Sequence, residues 1–173
     1  ALYQGKVTRL INNLAESSEF KRATCESVSS KRMKDRYLIL RFLAYYIWWE
    51  KPFKKDSGYP DYKSDPDEFL DKTMKFINNL TDQEIETLKL SFETAMKNAT
   101  EIFGDDAFRL PDEKRKNPIN MALFESLGYL LANPNVTKDK YSIIKEEFDR
   151  LMANDIEYKN SFKSIDSTVK IRF

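Results

Sequence analysis

The chain has 173 residues, with 29 Lys and Arg against 28 Asp and Glu, a net charge of +1, no His and one Cys. With 41% hydrophobic and 33% charged residues it is too apolar for a disordered chain and too polar for a membrane protein, and its length suits one domain burying roughly two-thirds of its unfolded surface. Without His there is no Ser-His-Asp or Cys-His nucleophile pair, no His-based zinc site and no His-dependent nuclease, so any chemistry must use carboxylates, Lys or Tyr.

In chain order, Leu2, Val7, Leu10, Ile11 and Leu14 fall at spacings of threes and fours, one face of a first helix. No capping residue precedes it and Ala1 stands mid-pattern, so the element is expected to begin upstream and the chain to be a piece of a longer protein. A short amphipathic piece around Glu19 to Glu26 leads to a Ser-rich break at Ser27, Ser29 and Ser30. The spacing then predicts a long helix from about Ser30 to Lys51, ending before Pro52, because the residue preceding Pro is pushed out of the α region. Its apolar run Tyr37 to Trp49 is too short to cross a roughly 30 Å hydrocarbon core and reads as a buried central helix, with Tyr45, Tyr46, Trp48 and Trp49 in the core rather than stacked on bases.

From Lys51 to Asp67 the chain is polar, with Pro52, Gly58, Pro60 and Pro66, and is expected to be the main mobile loop. Asp65-Pro66-Asp67-Glu68 is a helix start: Asp65 accepts orphan N–H groups, Pro66 has none to lose, and Glu68 sits at the capping-box position. Thr81 to Glu84 repeats the device, and the stripe Ile85, Leu88, Phe92, Ala95, Met96, Ala99 and Phe103 runs to a stop at Gly104. Pro118 is expected to open a helix through Ile119, Leu123, Phe124, Leu127 and Leu130 as far as Asn133-Pro134. Thr137 starts another through Tyr141, Ile144, Phe148 and Leu151, and Ser167 to Phe173 looks like the cap and first turn of a further one. The expected fold is all-α, a single domain over 1–173 of about six to eight helices in an irregular bundle.

The lone Cys25 has no partner for a disulfide within the chain, so a reducing, cytoplasmic setting is expected, and the sequons at Asn79, Asn98 and Asn135 are discounted. Asp61, Asp65, Asp67 and Glu68 are dense in carboxylate but lack the spacing of a calcium loop, and helix capping explains two of them. Asp112 with Glu157 and Lys159 has the residue types of a restriction-type nuclease, but that chemistry needs adjacent strands and none is signalled. Lys31, Arg32, Lys34 and Arg36, and again Lys114, Arg115 and Lys116, are candidate nucleic-acid contacts; the small net charge favours solvated surface instead.

Four stretches, Ala1 to Lys6, Arg32 to Ala44, Phe103 to Arg109 and Pro118 to Glu125, together resemble one bacterial family, and the likeness runs in order across the whole chain. The family is that of the ParB-like nuclease-domain proteins of unknown function that include the GmrSD type IV restriction enzymes. The resemblance implies the helical portion that follows a nucleotide-hydrolysing ParB-like domain. That domain's Asp-Gly-Gln-Gln-Arg hallmark does not occur in this sequence, and a chain without His has no His-Asn-His nuclease. Two functions follow as expectations. One is a non-catalytic helical module that packs on or links other domains of the same parent protein, with no cofactor, metal or membrane partner. The other is a helical module making weak DNA contact through its basic clusters.

Arg41 lies inside the apolar run, where an isolated guanidinium costs several kcal/mol. Asp35, six residues back, is turned about 240° around the axis and is a poor partner. Glu125, in another otherwise apolar helical stretch, is the expected one. The pair reads as a fold-locking contact, with a ligand-contacting arginine as the alternative.

Overall fold

The computed structural model describes residues 4–62 and 65–163, and it is all-α. Eight α-helices stand among the described residues: α1 (Lys6–Glu16), α2 (Ser18–Thr24), α3 (Lys34–Glu50), α4 (Pro66–Asn78), α5 (Asp82–Phe103), α6 (Met121–Leu131), α7 (Tyr141–Asn154) and α8 (Ile156–Ser161). None of them is long and apolar enough to cross a membrane. Leu2 and the expected start at Ser167 to Phe173 lie outside the described residues.

Helix α3 is buried without a break from Leu38 to Ile47, as its apolar run around Arg41 requires. It packs on α1, α4 and α6, while α5 packs on α1, α2, α6 and α7. The two families of contact meet in an aromatic knot. Phe42 of α3 stands edge-on to Phe92 of α5 at 5.0 Å between centroids, and Phe124 of α6 lies 6.2 Å from Phe42 and 4.6 Å from Phe108. Such tilted and T-shaped pairs add to what burying the rings alone contributes.

That knot leaves no room over Gly128. A Cβ built there would stand 2.9 Å from Cδ2 and Cε2 of Phe42, a ring fixed by Phe92 and Phe124. Gly128→Ala should therefore destabilise by roughly 1–3 kcal/mol through overpacking, against the gain Ala normally brings inside a helix. A thermal melt equal to or above that of the unsubstituted protein would show that Phe42 can move away.

Several boundaries differ from those read in the sequence. Helix α1 starts at Lys6, and its cap comes from another helix: Asn78 Oδ1 accepts the Val7 N–H at 3.0 Å. Gly5 permits the approach, with φ 149° and no Cβ to strike Asn78 Oδ1, which would lie 2.6 Å away. Helix α3 begins at Lys34 rather than Ser30, because Arg32 (φ 60°) and Met33 (φ 57°) are left-handed and cannot propagate a right-handed helix. Helix α6 begins at Met121 rather than Pro118: Ile119 forms an isolated antiparallel bridge with Arg109, and the Asn120 N–H donates to Phe108 O at 2.8 Å. The Asn120 side chain then caps Leu123 N at 2.9 Å.

After Thr137 comes a 3-10 turn before α7, since the Thr137 hydroxyl donates to Asp139 instead of capping. The Thr81–Glu84 capping box forms with both of its bonds, and Asp65 accepts from Asp67 N and Glu68 N. Glu68 itself takes Lys72 at 2.7 Å. The expected mobile loop is tied down over part of its length. Tyr59 Oη accepts the Phe53 N–H and donates to its carbonyl, while the Tyr59 ring lies 4.8 Å from Phe76 on α4.

Candidate cleft at the start of α3

The break between α2 and α3 and the segment leading into α6 face one another across a cleft of about 580 Å³. One wall is Ser27, Val28, Ser29 and Arg32, continued by Lys34, Tyr37 and Leu38; the other is Pro118, Ile119 and Met121. Five of the six left-handed non-glycine residues among the described residues belong to the segments around it; the sixth, Lys51, ends α3. Cys25 and Glu26 (both φ 52°) lead into Ser27, Arg32 and Met33 turn the rim, and Phe108 (φ 60°) carries the carbonyl that positions Asn120. Each L-residue in that region costs roughly 1 kcal/mol or more, so surrounding contacts must hold the shape.

Much of that hold comes from Arg109, only 6% exposed. Its guanidinium donates to Thr24 O at 3.2 Å, Ser27 Oγ at 2.8 Å, Asp105 O at 3.1 Å and Asn117 O at 2.5 Å. Every acceptor is a carbonyl or a hydroxyl. Thr24 O belongs to the last turn of α2, where the helix presents its negative end to a cation. The sequence carries a sign of this role, since an arginine between Phe108 and Leu110 raises the same difficulty as Arg41.

One turn deeper on both walls, Arg41 follows Tyr37 and Glu125 follows Met121. Arg41 Nε donates to Glu125 Oε1, with the two side chains 6% and 1% exposed, so the pairing expected from the sequence is present. Burial opposes the charge on Arg41, but the hydrogen bond and attraction of Glu125 outweigh it and hold the guanidinium above its ordinary value. The same group lies 5.8 Å and 5.7 Å from the ring centres of Tyr37 and Tyr45. Asp35 takes Arg36 instead, at 3.3 Å.

Of the candidate nucleic-acid contacts, Arg32 and Lys34 line this cleft, whereas Arg115 and Lys116 line another. Lys31, Arg32 and Lys34 are exposed and carry no ion pair to any described residue. Arg36 is bound by Asp35 and by Asn12 Oδ1 at 2.7 Å. In the second cluster Lys114 is exposed, Arg115 meets Asp112 at 3.5 Å and Lys116 meets Asp105 at 4.0 Å. The Lys114 N–H, with Arg115 beside it, holds the Asp112 carboxyl below the usual carboxylate range.

Arg115 and Lys116 line a different cleft, of about 490 Å³, together with Asp106, Asp112, Asp149 and Lys159. Glu157 is not among its lining residues, and Glu157 to Lys159 lie on α8 rather than on a strand. Among the described residues no three acidic or thiol side chains are grouped to hold a metal ion. Asn98 is buried and bonded to Leu131 O and Tyr141 Oη, which removes it as a glycan acceptor.

No family model matches the chain, and no curated protein or solved structure matches it significantly.

Proposed function

We propose that the chain is a non-catalytic helical module of a bacterial restriction or phage-defence protein, packing on or linking a ParB-like nucleotide-hydrolysing domain. The resemblance suggests the setting. The observation that carries the reading is what the polar side chains of the resembling stretches do. Arg41 and Glu125 bind one another inside the bundle, Arg109 is engaged by four internal acceptors, and Asn120 caps α6. These side chains serve to join segments of the fold. Incubated with nucleoside triphosphate or duplex DNA and Mg²⁺, the purified chain should give no turnover above a blank. Steady turnover abolished by Glu157→Gln or Asp112→Asn would overturn the reading.

The DNA-contacting reading has one observation in its favour, the three exposed cations Lys31, Arg32 and Lys34 with no ion pair to a described residue. Three phosphate contacts give a log–log salt slope of about −3 or shallower. Anisotropy of a labelled duplex should therefore show weak binding that fades quickly with salt. Submicromolar binding at physiological salt, lost when Lys31, Arg32 and Lys34 are replaced by Glu, would put this reading first.

A further inference from the structure

We infer that the cleft at the start of α3 is the docking groove for an acidic polypeptide segment that inserts a bulky apolar side chain. This rests on the packing role proposed above and names the face and the chemistry of the partner. The floor is aliphatic: Val28, Leu38, Ile119 and Met121 line it. Its rim carries Arg32 and Lys34, with Lys31 beside them, and none of the three has an ion pair to a described residue. No carboxylate stands among the described lining residues.

The other charged clefts differ in that respect. The cleft beside α7 contains Asp106, Asp112, Glu113 and Asp149, and the one under Gly58 has Lys55, Lys72 and Lys75 bound to Glu84, Glu68 and Asp71. Positive charge left uncompensated next to exposed apolar surface calls for an occupant with both properties at close spacing. A polypeptide offers them within two or three residues.

A nucleic acid fits less well. The lining offers aliphatic side chains and the half-exposed Tyr37 rather than a row of stacking rings, and in the second basic cluster Arg115 and Lys116 are compensated by Asp112 and Asp105. The volume of about 580 Å³ accommodates one or two large side chains. The walls are already in place, since Arg109 ties Ser27 to the 105–117 segment, so little ordering is needed on docking.

The test is an array of hexapeptides of the form Asp-Glu-X-X-Asp-Glu, with X drawn from Leu, Ile, Met, Phe and Trp. Its best member is titrated into the ¹⁵N-labelled chain, against a Lys-flanked control, an Ala-Ala control and a short duplex DNA. Expected are amide shifts confined to residues 27–38 and 119–121, lost with both control peptides. The combined Arg32→Glu and Lys34→Glu variant should weaken binding by about tenfold or more, whereas Lys114→Glu should not change it. Silence across the array, binding indifferent to the double reversal in a variant with an unchanged amide spectrum, or duplex DNA shifting the same amides more tightly than any peptide would each overturn the groove. The outcomes separate from those of the module reading: nucleotide turnover would refute the latter and leave the titration untouched, whereas a silent array leaves a non-catalytic chain.

Discussion

Arg41→Ala should lower stability by roughly 3–5 kcal/mol, the cost of breaking a buried ion pair from one side. The substitution takes from Glu125, 1% exposed, the cation that compensates it, and removes the guanidinium from between Tyr37 and Tyr45. Against a usual total of about 5–15 kcal/mol, this brings the protein near its unfolding midpoint in mild urea. Arg41→Met combined with Glu125→Gln should cost less than the two single changes summed, since neither charge then remains in the core. Strict additivity in urea titrations of that cycle would remove the pairing from the account of stability.

Arg109→Ala ranks close behind, at roughly 3–4 kcal/mol. Hydrogen bonds from charged donors contribute about 1.5–3 kcal/mol each, but some of the released carbonyls regain water, so the four do not sum. Arg109→Lys should rescue little, because one ammonium cannot reach acceptors spread over Thr24, Ser27, Asp105 and Asn117. Hydrogen exchange should quicken at the amides of residues 24–29 and of Asn117, Ile119 and Asn120, whereas those in the middle of α5 should stay protected. Full stability of the lysine variant would show that charge alone, not the fork, fastens the loop.

Helices announced by their own caps were legible from the residues. Thr81 with Glu84, and Asp65 with Pro66, act within four positions, so local pattern suffices. Starts set by distant partners were not. Asn78 caps α1, and the Phe108 carbonyl holds Asn120 so that α6 begins three residues after Pro118. The α8 helix was missed because it is short, although Asp155, which caps Tyr158 N, was a usable sign.

Arg41 and Glu125 were legible because a charge within an apolar run demands its opposite. The cleft was not, being assembled from three separate segments. Which lysines and arginines keep their charge uncompensated depends on where acids such as Asp105 and Asp112 come to rest, and helical periodicity carries no such information.

The cap on α1 bears on the order in which the fold is completed. Val7 and Asn78 are 71 positions apart, and Lys6 Nζ reaches Leu80 O, one position short of the Thr81 box. A ribosome delivers Val7 long before Asn78, so the Val7 N–H has only water as a partner until α4 has been made and has docked. Contacts this distant in sequence are slow to close. The 11-residue α1 is too short to hold firmly as an isolated helix, so during synthesis its apolar face of Val7, Leu10, Ile11 and Leu14 stays uncovered until its later partners arrive.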